Sequence, residues 1–361
     1  MAGDTGKNLK KLRIGILTFH NADNYGAVLQ CYALQETLRS LRPDDEVCVI
    51  DYRNPLIEKS YRVLGLRRSV LENISQILYV PSQLKKRRRF SSFRGEFLSV
   101  GSPDPNDCDV VFYGSDQIWN PELTGDDLAY FGANFRGTKI AYGASDGGEI
   151  KITEEVKKML GDFNSISCRE KSLSEKVSER LGKIVPTVCD PVFLLSKDEW
   201  LKIAVKPHEQ NYILAYKISE NIGFDDEVER TASRLGKPIV QIVYVRSLRK
   251  LICRTQKIKE CLSPQQFVGL FASADFVLTT SFHGTAFSII FEKPFFVLAF
   301  GSGSERITDL LNSLDLQGRY GRSVQNLSYD SLLLMEPPEK KLSEFQEESR
   351  SFMQTAMDFC R

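Results

Sequence analysis

Val277-Leu278-Thr279-Thr280-Ser281-Phe282-His283-Gly284-Thr285 is an apolar run that ends in hydroxyls and a histidine. The order reads as strand, tight loop and helix start. In an open α/β sheet, ligands bind in the crevice beyond the carboxyl ends of the strands. His283 would stand there, beside the backbone N–H groups of Gly284 and Thr285 at a helix N-terminus that favours an anion. Histidine titrates near neutral pH, so it can move a proton at that place. Of the three histidines in the chain, this one has the strongest setting; His208 reads as an exposed linker residue.

Three more clusters could do chemistry. In Val110-Val111-Phe112-Tyr113-Gly114-Ser115-Asp116-Gln117-Ile118-Trp119-Asn120 a strand ends and polar side chains follow at once. Ser115, Asp116, Gln117 and Asn120 suit sugar hydroxyls, and Trp119 suits the C–H face of a sugar ring. The bland alternative is a helix cap at Ser115 or Asp116. Ile166-Ser167-Cys168-Arg169-Glu170 could place a guanidinium in a crevice, where it would hold a carboxylate or phosphate; a salt bridge of Arg169 with Glu170 or another acid is the equal alternative. Gly301-Ser302-Gly303-Ser304-Glu305-Arg306 follows another strand and offers hydroxyls and a cation at a strand-to-helix turn, unless Arg306 pairs with Glu305.

The elements that must position these residues follow an α/β rhythm. Leu12–Thr18 is a buried first strand, Phe19–Ala27 a polar loop, Val28–Leu38 a helix, and Val47–Tyr52 a second strand. The unit lacks G-x-G-x-x-G, so a dinucleotide is not indicated. Asn24 and Gly26 either approach a ligand or shape the turn. The region 59–94 is basic and peaks at Lys85-Lys86-Arg87-Arg88-Arg89, with Phe90, Phe93 and Phe97 after it. It reads as a helix whose basic residues encircle it: a solvated face, or a contact with an anionic substrate or membrane surface. The second half restarts with strands at Tyr212–Tyr216, Pro238–Tyr244, Ala274–Thr280 and Pro294–Phe300. Ser263-Pro264 caps the helix before the third of these. The reading is therefore an N-terminal Rossmann-like domain over 1–195, a polar crossover near 195–210, and a second such domain over 205–335. A C-terminal helix within 340–361, capped by Ser343, would cross back to the first domain. Two Rossmann-like domains facing across a cleft is a GT-B-like layout.

Bulk composition fits that outline. The 361 residues are 42% hydrophobic and 26% charged, with a net charge of +1. No global field favours nucleic acid. No apolar run reaches the roughly 20 residues that span a bilayer, and Met1–Lys11 lacks a signal-peptide core, so a cytoplasmic protein is expected. Eight scattered cysteines form no C-x-x-C pair; they read as unpaired thiols, and no metal site is expected.

The motifs together resemble the polysaccharide pyruvyltransferase family along most of the chain. The matching pieces are Asn24-Tyr25-Gly26-Ala27-Val28-Leu29-Gln30, Tyr113–Asn120, Ala141-Tyr142-Gly143-Ala144-Ser145, Cys168-Arg169-Glu170, Asp190-Pro191-Val192 and Ser281-Phe282-His283-Gly284. The resemblance implies a GT-B-like enzyme that places a pyruvate ketal from phosphoenolpyruvate on two hydroxyls of a sugar, O4 and O6 of a galactose-type residue, in surface polysaccharide synthesis. It implies no cofactor beyond the donor substrate. His283 becomes the candidate acid and Arg169 a donor-binding cation, with Ser281, Gly284, Thr285, Ser304 and Arg306 around the donor. Asp116 would orient or deprotonate an acceptor held by Asn24, Gln30, Ser115, Gln117, Trp119 and Asn120. Many members carry arginine two positions before the motif histidine; here it is Ser281, and Arg306, Arg246 and Arg254 are candidates to replace its charge. An acceptor on a lipid diphosphate would bring the basic 59–94 region to the inner face of the membrane. Two rivals stand beside this reading. A GT-B glycosyltransferase using a nucleotide sugar shares the layout, and a non-catalytic carbohydrate-binding protein would need the Asp116–Trp119 cluster without His283.

Overall fold

The computed structural model describes residues 11–61, 70–148, 150–218, 223–243, 256–299, 305–325, 327–334, 336–358 and 360. Short runs of Val, Ile, Leu, Phe and Tyr form strands buried on both faces, the pattern that a parallel sheet covered by helices requires. The first sheet takes β1 (Arg13–Leu17), β2 (Glu46–Val49), β3 (Val110–Tyr113), β4 (Thr138–Ala144) and β5 (Ser165–Cys168) in the order β2-β1-β3-β4-β5. The second takes β6 (Ile213–Tyr216), β7 (Ile239–Ile242), β8 (Gln256–Lys259), β9 (Phe276–Thr279), β10 (Phe295–Leu298) and β11 (Tyr320–Gly321) in the order β11-β10-β9-β6-β7-β8. All the pairings are parallel.

The strand order creates two crevices. The chain leaves β1 for β2 on one side and returns to β3 on the other; it leaves β6 for β7 and returns to β9. At such switch points the loops after adjacent strands diverge and open a ligand-sized gap at their carboxyl ends. Asp116 follows β3 and His283 follows β9, so these two clusters stand at switch points.

The two halves share a core. Tyr25 stacks on Phe267 of the second half at 4.4 Å between ring centroids and lies 5.0 Å from Phe90. Trp200 packs on Tyr32 at 5.8 Å and on Phe287 at 5.0 Å. The Tyr25 hydroxyl donates to Leu262 O at 3.2 Å. Such aromatic pairs contribute about 0.5–1.5 kcal/mol each beyond their burial.

Several expectations change. The first helix runs Tyr25–Leu41, so the polar loop stops at Asn24, which caps it. The polar crossover near 195–210 contains a helix, Lys197–Ile203, with a Ser196–Glu199 capping box and a fully buried Trp200. Trp200 is its one buried residue, and seven residues are too few for a periodic signal. β8 and β11 were not expected: one carries two lysines at a sheet edge and the other is two residues long. Ser343 lies inside the last helix, Glu339–Asp358, not at its start. Ser349 Oγ on that helix accepts from Cys189 N at 2.9 Å.

The basic helix spans Val70–Phe97. Its basic residues divide by face instead of forming a uniform collar. Lys86 lies 5.6 Å from the centroid of Tyr25 and 5.4 Å from that of Phe90. Arg89 donates to Cys261 O and Gln266 Oε1, both at 2.7 Å, and so joins the halves. Lys85, Arg87 and Arg88 stay exposed.

Candidate functional site

His283 is the second residue of the helix Phe282–Ile290. Ser281 caps that helix: its Oγ accepts from Gly284 N at 3.3 Å, and its carbonyl accepts from Thr285 N at 2.9 Å. The N–H groups expected to hold an anion are therefore already bonded, which corrects the roles given to Gly284 and Thr285. The residues with no acceptor inside the helix are Phe282 and His283 themselves. Gly284 serves packing: a Cβ there would stand 2.3 Å from Thr279 Oγ1. Thr285 Oγ1 donates to Ser281 O at 3.0 Å and is buried.

The His283 ring is pressed against the first half of the chain. A Cβ on Gly26 would lie 2.1 Å from His283 Nδ1 and 2.4 Å from Cε1, so only glycine lets the two halves meet here. His283 Nε2 stands 3.7 Å from Asp190 Oδ2, longer than a hydrogen bond, and it is buried with no partner among the described residues. Burial pushes the imidazole below its ordinary 6.5; the Asp190 and Asp116 carboxylates oppose that, and the Arg169 and Arg306 charges reinforce it.

Arg169 follows β5. Its Nε donates to Glu170 Oε1 at 2.9 Å and its Nη1 to Asp190 Oδ2 at 2.7 Å. Its guanidinium carbon sits 4.6 Å from the Phe282 ring centroid, over the helix that carries His283. The salt-bridge alternative thus describes its bonding: the guanidinium is doubly paired, and Nη2 has no partner among the described residues. Burial opposes its charge, and Glu170 and Asp190 more than offset this. Glu170 also accepts from Ser145 Oγ at 2.9 Å, and burial raises its carboxyl above the ordinary 4.5 despite Arg169. Arg306 is pushed down by burial and by the nearby Arg169 charge, and its Nε has no partner among the described residues. Ser304, Arg246 and Arg254 lie outside the described residues.

Asp116 joins this group electrostatically, acting on His283, Arg169 and Arg306. Its backbone is left-handed, φ 71°, a conformation that short polar side chains tolerate. Its Oδ1 accepts from Gln117 N at 2.9 Å, and the Gly114–Ser115 peptide before it is cis. Asp116, Gln117 and Asn24 line one cavity of about 490 Å³. Asn24 Oδ1 accepts from Gly26 N and Ala27 N, so the turn-shaping alternative describes its bonding.

The other expected acceptor contacts belong to the scaffold. Trp119 is 1% exposed, stacks on Phe131 at 5.7 Å and donates Nε1–H to Tyr130 O, so its ring has no face open to a sugar. Gln30 is fully buried and donates to Thr18 Oγ1 and Ala27 O. Ser115 Oγ is spent on Gly143 O at 2.7 Å. Asn120 caps the short helix Pro121–Thr124 and donates to Gln117 Oε1. Ser115 and Asn120 are polar residues beyond a strand end, a pattern that suits both a sugar site and a turn, and in these two the turn won; Trp119 and Gln30 are packed into the core.

Asp190 was missed. In sequence Asp190-Pro191 looks like a cap, and it is one: Oδ1 accepts from Val192 N at 3.1 Å. Nothing in local spacing reveals that its other oxygen meets Arg169 and faces His283 from the opposite half. Among the described residues no group of three or more His, Cys, Asp or Glu side chains is placed to hold a metal. None of the described helices is long and apolar enough to cross a membrane.

Comparison with solved structures bears on the fold. A solved UDP-N-acetylglucosamine 2-epimerase is 14% identical, covering 95% of this chain and 94% of that one, with a TM-score of 0.52. The Neisseria meningitidis UDP-GlcNAc 2-epimerase bound to UDP-GlcNAc is 11% identical over 94% of this chain and 99% of that one, at a TM-score of 0.49. The fold is GT-B-like, two Rossmann-like domains facing across a cleft. A search of curated proteins gives no match. The family model for polysaccharide pyruvyl transferase matches residues 24–302, a span that begins at the Asn24 cap and includes Asp116, Arg169, Asp190 and His283. The chain belongs to the polysaccharide pyruvyl transferase family.

Proposed function

We propose that the protein transfers the pyruvyl unit of phosphoenolpyruvate to two hydroxyls of a sugar, O4 and O6 of a galactose-type residue, as a cyclic ketal. One observation carries the reading. A half-buried histidine, its Nε2 enclosed, stands among two carboxylates and two guanidinium groups, each of which keeps an N–H without a partner among the described residues, Arg169 Nη2 and Arg306 Nε. Arg306 is destabilised by Arg169 in this arrangement. A dianion between them would relieve the repulsion and satisfy both N–H groups. Phosphoenolpyruvate carries such charge on its phosphate and carboxylate.

The chemistry follows from that placement. Protonated His283 gives its proton to C3 of the donor, which becomes the methyl group. C2 gains cationic character, and the first sugar hydroxyl adds to it while its proton passes to the now neutral His283. The C2–O bond to phosphate then breaks, the second hydroxyl adds to C2, and its proton leaves with phosphate or through Asp116. The carboxylate remains on C2. General acid catalysis of this kind contributes about 10²–10⁴-fold.

The test incubates the protein with phosphoenolpyruvate and a panel of synthetic α- and β-galactosides and reads product mass and released phosphate. A ketal product lost in His283→Ala, with the melting transition retained, is the expected result. Turnover of His283→Ala close to wild type would remove the histidine from the mechanism. Consumption of a nucleotide sugar in place of phosphoenolpyruvate would replace the reading with glycosyl transfer.

A further inference from the structure

The cavity beside Asp116 does not end there. It shares Phe19, Ala22, Ile57 and Tyr61 with a second concavity of about 200 Å³. That one shares Asn21, Arg53, Arg87 and Arg94 with a third, of about 680 Å³. Together they form one trough that starts at Asp116, passes the carboxyl ends of β1 and β2, and reaches the basic helix.

The trough changes character along its length. Near Asp116 its walls are Tyr61, Leu56, Ile57 and a few polar groups. At the far end Arg53, Arg87, Arg88 and Arg94 line the wall beside Asp51, and Asp23 and Glu58 line the adjoining stretch. Two of the four are committed. Arg53 is bidentate to Asp51 at 2.9 and 3.0 Å, and Arg94 bonds Asp23 at 3.0 Å. Arg87 and Arg88 are exposed and have no ionic partner among the described residues. The lining positions 84, 87, 88, 91, 94, 95 and 98 follow helical spacing, so one stripe of the basic helix faces the trough. Lys86 and Arg89 point elsewhere, into the contact with the second half. A merely solvated basic helix would not sort its charges this way.

We infer that the trough binds a glycan acceptor longer than one sugar, with the reacting residue at Asp116 and an anionic substituent, phosphate or carboxylate, at Arg87 and Arg88. The placement of the reacting sugar rests on the function proposed above; the anion end rests on the arginine stripe alone. Guanidinium pairs are suited to both anions through parallel N–H contacts. A concave lining with committed neighbours fits a discrete group better than the flat surface of a bilayer.

The experiment compares three acceptors of equal length: a neutral oligosaccharide, the same chain with a phosphate at its reducing end, and the same chain with a uronic carboxylate. Wild type and Arg87→Gln/Arg88→Gln are assayed for kcat and KM at saturating phosphoenolpyruvate. Direct binding of each glycan is measured alongside, without donor. The wild type is expected to show a KM and a Kd about tenfold lower for at least one anionic chain than for the neutral one, on the scale of one charge-assisted contact. The double substitution should erase that advantage while kcat stays within about twofold; which anion is preferred names the source. Equal affinity for neutral and anionic chains, or a preference that survives the double substitution, overturns the inference. Loss of binding to anionic lipid vesicles with no change toward any soluble glycan would assign the stripe to a membrane surface instead, and also overturns it. If binding shows the preference but no acceptor is turned over, the trough stands and the proposed reaction falls.

Discussion

At the scale of single residues, the site is an arrangement of buried charges held between two halves of the chain. Asp190 is the residue on which it turns, because one oxygen holds Arg169 and faces His283. Asp190→Asn keeps the shape and removes the charge. Stability should fall by about 3–5 kcal/mol, the usual cost of leaving a buried arginine with one partner fewer. The rate profile separates the two roles. His283 loses a carboxylate that opposes the burial shift, so the pH above which kcat/KM falls should move lower than in wild type. A uniform loss with an unmoved profile would make Asp190 a strut for Arg169 only. In wild type the free-enzyme histidine is already pushed below 6.5. The protonated form therefore dominates only below that lowered pKa, and kcat/KM should decline as pH rises through it. A bound dianion raises the same pKa, so kcat should persist to higher pH than kcat/KM. Gly26 offers a steric counterpart. Gly26→Ala puts a methyl group into the space of the imidazole. A cost of about 1–3 kcal/mol is expected for that overpacking, together with a drop in kcat larger than that seen for a surface Gly→Ala such as Gly161→Ala, whose Cβ meets nothing within 4 Å.

Among the elements, the basic helix Val70–Phe97 shows how a charge run can be divided by packing. Lys86 lies against Tyr25 and Phe90, and burial pushes its ammonium down from 10.5 to about 8, with Asp23 opposing. The unfolded chain keeps the proton up to about 10.4. Between roughly pH 8 and 10 the unfolded state then binds more protons than the folded one, and this lysine makes stability rise with pH. Lys86→Met should remove that rise: the difference in melting temperature between variant and wild type should narrow as pH climbs from 7.5 to 9.5. A constant difference would mean that Lys86 is solvated. The same helix shows what was legible in the sequence. Its existence, its aromatic spacing and its charge were readable, and so were most of the strands, because short β-branched runs between turns have one stable reading in an α/β chain. The sorting of its basic residues was not, because that depends on which face meets Tyr25 and Phe267 from two other elements. Trp119 and Gln30 were misread for a related reason. Residue type shows what a side chain can bond, but only the packed structure decides whether a backbone carbonyl takes that bond first.

For the whole molecule, the two crevices matter only if they face each other in a fixed register. His283 lies on the helix that follows β9 in the second half, while Gly26, Arg169 and Asp190 belong to the first half. Part of that register comes from the aromatic contact of Tyr25 with Phe267 and from Arg89. The C-terminal helix Glu339–Asp358 supplies another part. It follows the second domain in sequence and docks on the segment that carries Asp190: Ser349 Oγ accepts from Cys189 N, Gln346 donates to Phe193 O, and Arg350 donates to Leu194 O. The backbone on both sides of Asp190 is thus held by a helix far away in sequence. Ser349 is fully buried, so Ser349→Val leaves the Cys189 N–H without an acceptor in a place water does not reach, at a cost of about 1–3 kcal/mol. Ser349→Ala removes the same bond with less crowding and controls for the added methyl groups. If the helix merely closes the fold, both variants should melt earlier and keep kcat once folded. If it sets the position of Asp190, kcat should fall several-fold in both at temperatures well below melting, and the pH dependence of kcat/KM should shift in the same direction as in Asp190→Asn. The second outcome is expected, because the bonded Cys189 amide is immediately followed by Asp190, whose carboxylate faces His283 across the cleft.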